Sequence, residues 1–125
     1  MTSELIPADV RQFILDHIDS VSELEALLLL RKYPGQSWSI QDVSGRIYLD
    51  EAPAARVLAR LAACGLCITG VGVYRYGPEA PHQAEIVDRL ADLYARYLIP
   101  VTNLIHNKPT RIRQFANAFL FRKDK

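Results

Sequence analysis

The stretch 38–77 constrains the fold more tightly than any other part of the chain. Its middle carries the clearest helical periodicity. Ala54, Val57, Leu58, Leu61 and Ala62 recur at i, i+3, i+4, i+7 and i+8, which draws one apolar stripe down a helix over 51–64. Asp50 stands where an N-cap belongs, Pro53 falls in the first turn, and Gly65 occupies the position after the helix where a left-handed residue is needed. Upstream, Ser39 and Asp42 form a capping box for a short helix over 40–47, with Ile40, Val43 and Ile47 inward. Tyr48-Leu49 leaves room only for a tight turn between the two helices. Downstream, Leu66-Cys67-Ile68-Thr69 and Val73-Tyr74-Arg75-Tyr76 are strand-like, and Gly70-Val71-Gly72 joins them. A hairpin with a very short tip is predicted, ended by Gly77-Pro78. Ser37-Trp38-Ser39 reads as a short extended segment, with Trp38 anchoring it to the hairpin.

The flanks read as helices. Over 7–19, Val10, Phe13, Ile14 and Ile18 share a face, with Pro7 and Asp9 suited to the first turn. Ser22 and Glu25 fit a capping box for a helix over 23–32, rich in leucine and stopped by Pro34-Gly35. A long helix is expected over 82–98. Ile86, Leu90, Leu93 and Tyr97 step by four, three and four, and Val101 and Leu104 continue the row past Pro100, which should kink or break the helix. After Lys108-Pro109, Thr110 can cap a last helix over 111–122 with Ile112, Phe115, Ala116 and Phe119 on one side. A chain of 125 residues, half of them apolar, fits one compact unit. The expected class is mostly α (α+β), with a helix–turn–helix and hairpin portion over 1–81 and a helical extension over 82–125.

At 38–77 the order helix, tight turn, helix, hairpin resembles the winged helix-turn-helix domains of bacterial transcriptional regulators, and the likeness extends over 22–77. It rests on architecture and has no diagnostic residue string. The resemblance implies that the helix from Glu51 is a recognition helix in the major groove and that 66–76 is the wing. Glu51, Ala52, Ala55, Arg56 and Arg60 would then face DNA. Arg56 would pair with a guanine edge or touch a phosphate, and Arg46 and Arg75 would contact phosphates. It also implies that 82–107 supplies dimerisation helices, with Ile86, Leu90, Leu93, Tyr97, Val101 and Leu104 as the seam. The alternative for that seam is an intrachain core face.

Charge sharpens these expectations. Residues 1–35 carry three basic against six acidic side chains, and 106–125 carry six against one. The basic end could hold phosphates, or keep a terminal helix soluble, or partner the acidic N-terminal helix. Against a strong DNA reader stand the alanines on the outward helix face and a wing tip without Lys or Arg. A winged helix that binds protein through the hairpin, the alanine-rich face and the C-terminal helix is therefore the rival to a homodimeric duplex-DNA regulator.

No glycine-rich phosphate loop, Gly-x-Ser-x-Gly or nucleophile–histidine spacing is present, so no enzyme and no cofactor is expected. Cys64 and Cys67 match Cys-x-x-Cys, but at a helix C-terminus, where the dipole opposes a thiolate. Two buried small side chains are the expected role, a redox pair the alternative. His17, His82 and His106 lack ligand spacing, so no metal is expected. The start lacks a signal-like pattern and the longest apolar run, 26–30, is too short to span a bilayer. A cytoplasmic protein without a membrane partner is the expectation.

Overall fold

The computed structural model describes residues 5–107. Among the described residues the chain is mostly helical with one small antiparallel hairpin. Helix α1 spans Ala8–His17 and buries Val10, Phe13 and Ile14, the i, i+3, i+4 face its sequence marks out. Helix α2, Val21–Lys32, buries Leu24, Ala26, Leu27 and Leu30. Its cap differs from the expected one. The N-cap is Ser20, whose hydroxyl accepts from the Glu23 N–H at 3.1 Å, while a Glu23 carboxylate oxygen accepts from the Asp19 N–H at 2.9 Å. Ser20-x-x-Glu23 has the same pattern as Ser22-x-x-Glu25. Starting the helix at the earlier serine leaves Glu25 on the surface, where it accepts a hydrogen bond from Tyr94 at 2.6 Å.

Helix α3 spans Ile40–Ile47 with both halves of the Ser39/Asp42 capping box in place. Tyr48 then adopts φ 56°, the left-handed region. Helix α4, Glu51–Ala63, starts after Asp50, whose side chain makes no cap hydrogen bond. It ends in a Schellman closure: Leu66 N–H bonds Leu61 C=O and Gly65 N–H bonds Ala62 C=O, each at 3.0 Å. Gly65 has φ 74°, as that closure requires.

Strands β1, Cys67–Thr69, and β2, Tyr74–Tyr76, pair with Ile68 opposite Arg75. Trp38 adds one bridge on the far side of β2, through two backbone hydrogen bonds of 2.8 Å with Tyr74. The hairpin is thereby tied to the segment before α3.

Helix α5 spans Pro81–Arg96, and a further helical segment, α6, covers 98–107. The break falls at Tyr97, not at Pro100. Proline cannot give an N–H to the carbonyl four residues back, but it sits without cost in a first turn, so the helix stops ahead of it and restarts with Pro100 in the opening turn. Helix α1 packs on α5, while α2 lies against α3, α4 and β2. Their buried side chains form one cluster, from Ile6 to Ile105. Three polar contacts fasten α5 to it: Arg89 with Asp9, Arg31 with Asp88 at 2.8 Å, and Tyr94 with Glu25.

The expected dimer seam lies within this arrangement. Leu90 and Val101 are fully buried, and Ile86, Leu93 and Leu104 pack half-buried against the same core. Tyr97 is half-buried at the α5–α6 break. The apolar row faces α1 and the shared core of the same chain, as the intrachain alternative for it implies. The expected helix over 111–122, with most of the basic C-terminal end, lies outside the described residues.

Candidate nucleic-acid interface

Helix α4 lies between the α3 turn and the hairpin, and the sequence decides which of its sides is free. Ala54, Val57, Leu58 and Leu61 are buried. At 3.6 residues per turn the opposite side carries Ala52, Arg56, Ala59 and Ala63, all exposed. Glu51 and Arg60 are exposed on the two flanks, and Ala55 is half-buried. The outward row is therefore one arginine among alanines.

Arg56 and Arg60, one turn apart, have different surroundings. Arg56 has no carboxylate within ion-pair distance among the described residues. Arg60 is held by two. Its Nε donates to a Glu23 carboxylate oxygen at 2.9 Å and its Nη2 to Asp19 at 2.8 Å. Glu23 is only 4% exposed. The same carboxylate caps α2, so its two oxygens are shared between the Asp19 N–H and Arg60.

Arg46, near the end of α3, stacks on two aromatic rings, 5.5 Å from the Tyr33 centroid and 5.4 Å from that of Trp38. Lys32 lies 5.7 Å from the Tyr33 ring. Hydrogen bonding from Arg46, helped by the Lys32 charge, holds the Tyr33 hydroxyl below the usual phenol range. Arg46 thus belongs to a basic–aromatic patch with Lys32 and Tyr33. The clue in the sequence was the Arg-Lys-Tyr run at the end of α2, just before Pro34.

On the hairpin, Tyr74 and Tyr76 pack toward the core, while Ile68 and Arg75 form the outer, exposed pair. Val71 at the tip is fully exposed and Ile68 is 47% exposed. Tyr48, in the turn that leads into α4, is 95% exposed. A tyrosine held in the left-handed region costs roughly 1–2 kcal/mol, and nothing in the sequence sets Tyr48 apart from an ordinary turn residue.

Cys67 is buried with its Sγ 3.9 Å from the Leu58 carbonyl, and burial pushes its thiol up to about 11. A thiol kept protonated at neutral pH is a poor nucleophile and a poor ligand. Among the described residues no group of three or more His, Cys, Asp or Glu converges as a metal site. An open cleft of about 290 Å³ between α1 and α5 is lined by Asp9, Gln12, Phe13, Asp16, His17, His82, Gln83 and Ile86. Two of its carboxylates are engaged, Asp9 by Arg89 and Asp16 by Gln12 at 2.8 Å. No helix among the described residues is long and apolar enough to cross a membrane.

Comparison with protein-family models, with curated proteins and with solved structures finds no match to this chain.

Proposed function

We propose that the chain is a winged helix-turn-helix protein that binds duplex DNA and regulates transcription in the cytoplasm, with no catalytic role. The observation that carries this reading is the position of Arg56. It stands in the outward row of α4, unpaired with any described carboxylate and flanked by alanines that let the helix approach another surface closely. In the major groove Arg56 would reach a guanine edge, with Ala52 and Ala55 close to the base pairs. Arg75 on the outer side of the hairpin and the Lys32–Arg46 patch would meet phosphates. Glu51 at the start of α4 would disfavour phosphate there. The proposed assembly is a homodimer, which presents two α4 helices to two half-sites. Since Leu90 and Val101 are taken up by the chain's own core, its contact would use other residues.

The test is enrichment of duplexes from a random-sequence pool at physiological salt. A pseudo-palindrome with half-sites about one helical turn apart is expected, and Arg56→Ala should abolish the enrichment. A second reading, a protein-binding module, is favoured by the exposed Tyr48, Ile68 and Val71 around α4 and the wing tip. It would be preferred if the folded protein enriched no duplex.

A further inference from the structure

The Asp19–Glu23–Arg60 knot sets the electrostatics of α4 as much as its own arginines do. The guanidinium lies within 3 Å of both carboxylates, with Glu23 buried and Arg60 half-exposed. Three charges at this spacing sum to −1. An anion approaching the outer edge of Arg60 meets one positive group backed by two negative ones. Releasing the arginine would strip a buried carboxylate of its cation, which is costly. Arg60 is therefore neither free to swing toward a ligand nor attractive to a phosphate where it stands.

We infer that Asp19 and Glu23 withhold Arg60 from nucleic acid, confining the DNA-facing charge of α4 to Arg56. They act as specificity-determining residues, since they limit sequence-independent backbone attraction without touching the ligand. This rests on the DNA-binding reading above and adds to it a prediction of opposite sign. Removal of an acidic side chain outside the outward row should strengthen binding.

The experiment uses the full chain and short labelled random-sequence duplex DNA, titrated between about 50 and about 200 mM salt. Asp19→Asn removes one charge from a partly exposed position and keeps its shape. It is expected to raise affinity about two- to fivefold at the low-salt end, an effect that fades with added salt, because Arg60 is then backed by one carboxylate instead of two. Arg60→Ala in the Asp19→Asn background should cancel the gain. Arg60→Ala alone should weaken binding only a few-fold, about the size of the Asp19→Asn gain and far less than Arg56→Ala, because it uncovers two carboxylates rather than removing a DNA contact. Glu23→Gln is the second charge-removing variant, expected to act in the same direction, and thermal melts confirm that each variant is folded. If Arg60→Ala alone weakens binding as Arg56→Ala does, or if Asp19→Asn produces no gain, the withholding role is wrong while the DNA-binding reading stands. If neither the unsubstituted chain nor any folded variant binds duplex, both readings fall.

Discussion

Helix α4 and the α5–α6 pair both carry an apolar row at helical spacing, and the two rows were expected to do different things. The α4 row, Ala54 to Leu61, was read as core and is core. The α5–α6 row, Ile86 to Leu104, fits either a seam for a second copy or an intrachain core face, and Leu90 and Val101 are as buried as Leu58. The difference teaches that periodicity identifies which side of a helix must be covered but not what covers it. For α4, the neighbouring short helix and hairpin supplied a local cover that could be inferred. For α5, the cover is α1, which lies more than sixty residues away in the chain. The Asp9–Arg89 and Glu25–Tyr94 contacts that fasten it could not be paired from sequence.

The comparison breaks first at the core. Leu58→Ala and Leu90→Ala should each cost about 3 kcal/mol, the usual penalty for a truncated leucine that leaves a cavity. Chemical denaturation at two protein concentrations decides whether the two sites are equivalent. Equal losses that do not change on dilution place both rows in one chain's core. A Leu90→Ala loss that vanishes at low concentration would restore α5 to an intermolecular role.

A second comparison runs along α4 itself. Arg60→Ala should cost about 1–3 kcal/mol, because it leaves the buried Glu23 carboxylate without its cation. Arg56→Ala should stay within about 0.5 kcal/mol, as surface substitutions without a partner do. The two arginines look alike in the sequence, four residues apart on a face predicted to be exposed. Only their angular positions separate them: Arg56 is opposite the stripe and Arg60 is on the flank nearest the start of α2. Equal, small effects on stability would mean that the Asp19–Glu23 clamp contributes little.

Much of the local architecture was legible because it depends on near neighbours. The Ser39/Asp42 box, the glycine after α4 and the existence of the hairpin all follow from groups within a few residues of each other; its register, Thr69 opposite Tyr74, lies one residue off the pairing that a Gly70-Val71-Gly72 tip implies. Where two local solutions compete, pattern alone does not choose. Ser20-x-x-Glu23 and Ser22-x-x-Glu25 are equally good caps, and α2 adopts the first, in which Glu23 also meets Arg60. Of the candidate interface, the outward placement of Arg56, Ala59 and Ala63 can be read from the wheel, which also puts Ala55 outward although it is half-buried. The aromatic seat of Arg46 and the exposed Tyr48 could not, since both depend on how the α2–α3 and α3–α4 links turn. The two serines give the third test. Ser20→Ala should cost about 1 kcal/mol, as the loss of an N-cap does, and Ser22→Ala less than about half of that. The reverse order in urea melts would place the cap at Ser22.

The last comparison concerns how α5 is held, and its signature is a loss of stability in alkali. Tyr94 donates to Glu25 at 2.6 Å, and desolvation together with that hydrogen bond pushes its hydroxyl up to about 12 from an ordinary 10.0. The sign follows from which form the fold favours. The protonated phenol is stabilised, so its contribution is fully present below pH 10 and disappears as pH rises from 10 toward 12. Tyr33 is displaced the other way by Arg46, so the two phenols should separate in an ultraviolet titration, Tyr33 ionising early and Tyr94 late. Tyr94→Phe should delete the late component and flatten the alkaline loss of stability, while leaving α4 and its arginines untouched. If the late component survives in Tyr94→Phe, it belongs to another buried phenol, Tyr76 being the candidate because burial raises it too. The Glu25 contact would then be a surface hydrogen bond that does little to fasten α5 to α2.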